Sequence, residues 1–182
     1  MKREEWDAKS AETERKAAQC DLPMYTVRVT KPSFTETMQI GIVVRDLDSA
    51  LRTYVDHYGI GPWQIYEFTP ENAEDLRELG KPVRRSWRLA TTMVGHVMWE
   101  LIEPLDEKSV YARFLAEKGE GVHHIAVVTP CFEDLVAAQA QRGNNLELSG
   151  TFSGVKVAYL PTAHDLGVVI EISSGTPPPA EP

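Results

Sequence analysis

The sequence predicts an α+β fold in which two βαβββ modules combine into one cupped mixed sheet. Residues 38–58 have the pattern of a strand followed by a helix, and residues 123–142 repeat that order. Each half then ends in an apolar strand interrupted by a single carboxylate, Glu100 in the first half and Glu171 in the second. A four-stranded sheet that is covered on only one face leaves its other face exposed to solvent. Two such sheets are therefore expected to join and bury the remaining face.

In the first half, Asp46 is a favourable N-cap, and the apolar residues that follow it have helical spacing. Gly59 is expected to end this helix. A strand over residues 63–68 follows, and the charged stretch 71–79 is predicted as a short helical insertion. The half closes with a hairpin over residues 84–103.

The second half repeats the order of strand, helix and three strands. Its predicted elements are residues 123–129, 132–141, 146–152, 155–160 and 167–173. We predict a charged N-terminal arm, one folded domain and a disordered tail. These span residues 1–35, 36–174 and 175–182, and the domain divides into module one (38–104), a linker helix (108–118) and module two (123–173).

Composition limits the classes of partner. The chain has 182 residues and a net charge of −8, which argues against a nucleic-acid partner because phosphate binding needs a dense basic face. No apolar stretch approaches the roughly 18 residues that span a bilayer. Cys20 and Cys131 match neither a disulfide framework nor a CxxC metal motif, so a cytoplasmic protein with free thiols is expected.

One short basic cluster comprises Lys81, Arg84, Arg85 and Arg88. It either meets one anionic group of a substrate or forms an ordinary solvated strand face.

Four polar residues occupy matching places in the two halves. An offset of 85 residues aligns Gln39 with His124, and the later strands align Glu100 with Glu171. A buried, unpaired carboxylate is costly, so two of them at equivalent positions suggest a shared cation. Each residue taken singly is more often structural. Together they predict a mostly oxygen-ligated divalent ion with open positions, of the kind formed by Zn²⁺, Ni²⁺, Co²⁺, Mn²⁺ or Mg²⁺.

The residues from Thr37 to Ser174 resemble the vicinal oxygen chelate superfamily, which includes the glyoxalase and bleomycin resistance proteins. The clearest segments are residues 41–50, 99–105, 119–126 and 156–160, and the last three are most similar to methylmalonyl-CoA epimerases. The resemblance implies the vicinal oxygen chelate fold, a homodimer, and metal ligands at Gln39, Glu100, His124 and Glu171.

The resemblance also implies a metal-dependent isomerase or epimerase that removes a proton next to a carbonyl, with an acyl-CoA or a related small acid as the candidate substrate. Glu171 is the candidate for one base, because a ligand carboxylate can leave the metal to take a proton. Glu67 resembles the second base of the epimerases by position, and Glu100 is the alternative.

Two other functions stay open. Epimerases usually have histidine at the position of Gln39, and the Gln–Glu–His–Glu order instead resembles the zinc ligands of eukaryotic glyoxalase I, a lactoylglutathione lyase. A third possibility is a non-catalytic protein that binds a small ligand in an aromatic cup. Candidate lining residues for it are Trp63, Tyr66, Phe68, Trp87 and Trp99.

Overall fold

The structure is a computed structural model that describes residues 33–175. Nearly all of the predicted arm, including Cys20, and the tail from residue 176 onward lie outside the described residues. The boundaries proposed at residues 35 and 174 stay predictions.

Ten strands and four helices make up the described part of the chain. The strands are β1 (Glu36–Val43), β2 (Gln64–Phe68), β3 (Ala73–Glu78), β4 (Lys81–Pro82), β5 (Trp87–Val94), β6 (Val97–Pro104), β7 (Gly121–Val128), β8 (Leu148–Phe152), β9 (Val155–Leu160) and β10 (Val169–Ser173). The helices are α1 (Leu47–Tyr58), α2 (Val110–Lys118), α3 (Phe132–Gln141) and α4 (Ala163–Leu166). None of the helices within residues 33–175 is long and apolar enough to cross a membrane.

All ten strands form one mixed sheet in the order β2-β5-β6-β1-β7-β10-β9-β8-β3-β4. β1 pairs in parallel with β6, β7 pairs in parallel with β10, and the two modules join through the antiparallel pair of β1 and β7. The predicted fold of paired βαβββ modules on a cupped mixed sheet is confirmed.

The helical insertion predicted over residues 71–79 is wrong. Residues 73–78 form β3, which pairs with β8 of the second module, while β4 pairs back onto β3. Leu76 and Glu78 are buried at strand spacing, and Leu76 packs into the core of the cup. The chain leaves β2 at one edge of the sheet and re-enters beside β8 at the other end. The free edge of β8 therefore decides the structure of a segment whose own composition favours a helix.

The sheet has a core on each face. Residues facing the cup, such as Val43 and Ile102, are buried with aromatic side chains from both modules. On the outer face, α1 covers Leu101 and α3 covers Ile170. As predicted, the Asp46 side chain caps α1, accepting a hydrogen bond of 2.7 Å from a backbone N–H in the first turn. Both helices leave the inner face of the sheet free to carry a site.

Candidate functional site

The centre of the sheet carries one polar side chain on each of four neighbouring strands. Across β6, β1, β7 and β10 these are Glu100, Gln39, His124 and Glu171. Gly41 lies opposite Glu100 on one side and His124 on the other, and an equivalent register sets Glu171 opposite an alanine of β7. The fold thus brings together all four residues predicted as metal ligands.

The four side chains converge on the Nε2 atom of His124. The Oε2 atom of Glu171 lies 3.1 Å from it, the Nε2 atom of Gln39 3.3 Å and the Oε2 atom of Glu100 3.5 Å. Gln39 also donates a hydrogen bond of 2.7 Å to Glu100. A ring nitrogen carries either one proton or one lone pair, so it cannot satisfy all these partners at once.

Burial and charge change the pKa values within this cluster. Burial disfavours the charged form of His124 and by itself would lower the pKa of that residue. Hydrogen bonds and charges from Glu100 and Glu171 outweigh this effect and raise the pKa of His124 to about 9. Burial raises the pKa of Glu100, and its hydrogen bond to His124 opposes that rise. The arrangement strongly favours one added positive charge between the two carboxylates.

Two β-bulges align the cluster. Met38 is the extra residue in β1 just before Gln39, and His123 is the extra residue in β7 just before His124. Regular alternation would turn His123 away from His124. Instead their Nδ1 atoms lie 3.1 Å apart. Burial lowers the pKa of His123 to about 3, so its neutral Nδ1 can accept a hydrogen bond from the Nδ1–H group of His124, which leaves Nε2 of His124 facing the cluster.

Gly41 provides the space that His124 occupies. A Cβ atom at Gly41 would lie 2.0 Å from Cε1 of the imidazole. Replacing Gly41 with alanine is therefore expected to displace the ring and to lower the free energy of unfolding by about 1–3 kcal/mol. Thermal denaturation and titration with Zn²⁺ check this. Gly175→Ala is the control, because nothing lies within 4 Å of that Cβ position. A Gly41→Ala protein as stable as the wild type, with unchanged ion binding, would contradict the packing described here.

A cavity of about 190 Å³ opens beside the cluster on the inner face of the sheet. Gln39, Glu100 and Glu171 line one side of it. The other walls are apolar or aromatic and come from both modules: Phe68, Trp87, Leu89, Tyr111, Leu148, Phe152, Val157 and Tyr159. Polar groups converging in an apolar cavity are typical of a small-molecule site.

Two buried tyrosines join the cluster to the cavity wall. The hydroxyl groups of Tyr111 and Tyr159 lie 2.9 Å apart, and the Tyr159 hydroxyl lies 3.4 Å from Nε2 of His124. Burial raises the pKa of both phenols well above the ordinary value, so both stay protonated. Sequence reasoning missed them, because only the pairing of β9 with β10 places Tyr159 opposite Glu171.

Replacing Tyr111 with phenylalanine is expected to lower the free energy of unfolding by about 1–3 kcal/mol, because the buried Tyr159 hydroxyl loses the nearer of its two partners. The double variant Tyr111→Phe/Tyr159→Phe is expected to cost less than the sum of the two single variants. Denaturant unfolding of the four proteins checks this. Strictly additive losses would show that the two hydroxyl groups do not interact.

Some residues predicted as a second base or as lining of the cup lie away from the cluster. Glu67 is exposed on β2, because strand alternation turns Phe68 into the cavity and Glu67 to the opposite face. The structure therefore does not bring Glu67 to the cluster as a second base. Trp63 and Trp99 contact Tyr54 of α1 rather than the cup.

The donor set fits a divalent ion, although the ion site is not preformed. Within residues 33–175, no group of three or more His, Cys, Asp or Glu side chains is already arranged around an ion position. The four side chains contact one another instead. Two carboxylates, one imidazole and an amide whose oxygen can replace its nitrogen by rotation are suitable ligands for such an ion. The metal itself stays a prediction.

Comparison with known proteins agrees with this architecture. A family model described as the glyoxalase/bleomycin resistance protein/dioxygenase superfamily matches residues 38–159. The uncharacterized protein YqjC of Bacillus subtilis is 31% identical over 127 residues, covering 65% of this chain and 89% of that relative.

Solved structures with similar folds include several epimerases. A methylmalonyl-CoA epimerase variant from Streptomyces coelicolor, in complex with 2-nitronate-propionyl-CoA, is 26% identical and covers 78% of this chain and 97% of that chain, with a TM-score of 0.53. A hypothetical protein from Bacillus halodurans is also 26% identical, covers 80% of this chain and 98% of that chain, and has a TM-score of 0.54. The methylmalonyl-CoA epimerase of Mycobacterium tuberculosis is 23% identical, with coverage of 82% and 94% and a TM-score of 0.56, and supports the fold alone.

Proposed function

The chain belongs to the glyoxalase/bleomycin resistance protein/dioxygenase superfamily, and from this premise we propose that it is a metal-dependent isomerase or epimerase. The reaction is removal of a proton from the carbon next to a carbonyl group, followed by addition of a proton to the opposite face of that carbon. Similarity to methylmalonyl-CoA epimerases supports this class, and the paired carboxylates at the cavity are the observation that carries it.

Gln39, Glu100, His124 and Glu171 are the residues that would hold the ion. A divalent ion there would polarise a substrate carbonyl and stabilise the negative charge that develops on its oxygen. The contact between His123 and His124 orients the imidazole toward the other three side chains. Gly41 lets the imidazole lie close against β1.

Glu100 and Glu171 are the proposed bases. They come from β6 and β10, the two outer strands of the central four, so they approach the cavity from opposite sides of Gln39 and His124. One carboxylate takes the proton, and the electron pair of the broken C–H bond moves toward the carbonyl oxygen. The second carboxyl group is protonated at the start and gives its proton to the opposite face of the carbon, which inverts the configuration and leaves the two groups with exchanged protonation states.

Deuterium exchange tests this proposal. Methylmalonyl-CoA and 2-methylbutanoyl-CoA would each be incubated in D₂O with protein loaded with Zn²⁺, Co²⁺ or Mn²⁺, and the thioesters analysed by mass spectrometry. We expect at least one of them to gain a single deuterium at the α-carbon, at a rate that falls when a chelator is added. Absence of exchange with every ion would count against proton removal from this class of substrate.

The second candidate is a glyoxalase I-type lyase, favoured by the position of Gln39 within the cluster. Its test is the addition of methylglyoxal and glutathione to the metal-loaded protein, with thioester absorbance as the readout. No absorbance change with zinc or nickel would eliminate it.

The third candidate, a non-catalytic binding protein, is favoured if the purified chain takes up no divalent ion. The homodimer, the cytoplasmic location and the absence of a nucleic-acid partner stay expectations from the sequence.

A further inference from the structure

A second cavity, the α2 cavity, lies beside the linker helix and has a volume of about 210 Å³. Side chains of α2, of the start of β7 and of the segment that leads into β10 form most of its walls. None of its described lining residues also lines the cavity of the cup. Tyr111 and Leu148 face the cup, whereas their chain neighbours Val110 and Glu147 face the α2 cavity. The α2 cavity is therefore a candidate binding site distinct from the cup.

His123 presents a buried hydrogen-bond donor to this cavity. It is 3% exposed, and within residues 33–175 its only hydrogen bond joins its Nδ1 atom to Nδ1 of His124. The tautomer that accepts this bond carries its proton on Nε2. Among the described residues, Oδ2 of Asp106 is the only fully enclosed side-chain polar atom without a partner. The Nε2–H group of His123 is therefore open to the cavity that the ring lines, and it is free to donate to a ligand.

Two cations of α2 line the same space. The Nη1 atom of Arg113 donates to Glu78 at 3.1 Å and to the carbonyl group of Lys108, while its Nε and Nη2 atoms have no partner within residues 33–175. Lys118, in the last turn of α2, is exposed and forms no ion pair with the described residues. Cations with free N–H groups favour a carboxylate, and a guanidinium group can hold one through two parallel hydrogen bonds.

The basic cluster that the sequence offered as a possible anion site lies elsewhere. None of its four residues lines the α2 cavity or the cavity of the cup. Its three arginines already pair with carboxylates of the described chain. The cations that a ligand could meet in the α2 cavity are therefore those of α2 itself.

Glu147 provides an acceptor in the α2 cavity. It is half-buried, and its side chain has neither an ion pair nor a hydrogen bond within residues 33–175. Burial raises the pKa of Glu147, and the charges of Arg113 and Lys118 oppose that rise. An ammonium group beside Glu147 would favour the charged carboxylate and provide the donors that it lacks. A ligand that brought only another carboxylate would leave Glu147 without a partner.

The rest of the lining is mostly apolar, with valines of α2, β7 and β10 and with Phe114. Glu117, the other charged residue of the lining, is exposed. The volume of about 210 Å³ corresponds to about seven water molecules at roughly 30 Å³ each. It suits a small molecule with a short alkyl group.

We propose that the α2 cavity binds a small α-amino acid as its zwitterion. The carboxylate of the ligand meets Arg113, Lys118 and the Nε2–H group of His123, and its ammonium group meets Glu147. A short alkyl side chain lies against the apolar wall. The proposal goes beyond the proposed function, because it concerns a different cavity and needs neither an ion nor proton removal.

Three related ligands test whether both charged groups are recognised. They are L-valine, 3-methylbutanoate, which lacks the ammonium group, and 2-methylpropylamine, which lacks the carboxylate. Calorimetric titration of the full metal-free chain at pH 7 is expected to show L-valine binding about tenfold tighter than either analogue, because each analogue loses charge-assisted hydrogen bonds. Removing metal ions prevents L-valine from chelating one in the cup. No binding of L-valine, or an analogue that binds equally well, would overturn the proposal.

Two variants place the binding in the α2 cavity. Glu147→Gln is expected to weaken L-valine by about tenfold without weakening 3-methylbutanoate, because only the ammonium group loses its partner. Lys118→Gln is expected to weaken both ligands by about threefold, since this exposed charge is screened by solvent. Glu107→Gln and Lys108→Gln are the controls, because both residues are exposed and lie outside the lining. Folded Glu147 and Lys118 variants with wild-type affinity for L-valine would overturn the proposal.

Discussion

Replacing Glu171 with glutamine is expected to lower the rate of proton removal from one enantiomer of the substrate by about 100- to 10,000-fold, because the proposed base on that side of the cavity is lost. Glu100→Gln is expected to have the same effect on the opposite enantiomer. Each single variant should still exchange the α-proton of the other enantiomer, while epimerisation is lost in both. Deuterium incorporation into each enantiomer, followed by mass spectrometry, measures this.

Metal content measured on the same samples separates loss of a base from loss of the ion. Glutamine keeps one carbonyl oxygen, so both variants can still provide an oxygen ligand. Glu67→Gln is the control, because Glu67 is exposed on the outer side of β2 and should leave both rates unchanged. If the Glu100 and Glu171 variants both kept their ion and lost exchange from the same enantiomer, the two carboxylates would not act on opposite faces.

The second large effect concerns stability. Glu78→Gln is expected to lower the free energy of unfolding by about 3 kcal/mol. This value is at the lower end of the range for a broken buried ion pair, because the two arginines that lose their partner can still reach water. Glu78 is only 5% exposed, accepts hydrogen bonds from Arg85 and Arg113, and also accepts one from the backbone N–H of Val110 at the start of α2. It thereby joins β3 of module one to the linker helix α2.

Differential scanning calorimetry measures the loss, which corresponds to a fall of about 6–12 °C in Tm. Glu71→Gln is the matched control, because its pair with Arg84 is exposed on both sides and is worth at most about 1 kcal/mol. Equal small losses in the two variants would mean that the Glu78 network does not hold β3 against α2.

The repeat explains how much of the site could be predicted from the sequence. Equivalent positions in two halves of one fold become neighbours when the halves pair about their first strands. Matching Gln39 with His124 and Glu100 with Glu171 was therefore enough to predict that the four side chains meet. Alternation along each strand then placed them on the inner face.

Features that depend on pairing between distant segments could not be predicted in this way. Residues 71–79 form a strand because the edge of β8, about seventy residues further along the chain, is free to pair with them. The bulge at His123 changes the direction of one side chain, and no local pattern indicates it. Tyr159 reaches the cluster through the register of β9 with β10. Glu67 was assigned by its position in a resemblance, and alternation against Phe68 turns it outward.

Titration of the purified, metal-free chain with Co²⁺ tests the central claim most directly, because the visible spectrum of the ion reports its ligands. We predict one ion per chain, with binding lost in His124→Ala and retained in His164→Ala, whose histidine is exposed on α4. A folded chain that binds no ion, or an ion held equally well by His124→Ala, would contradict the account.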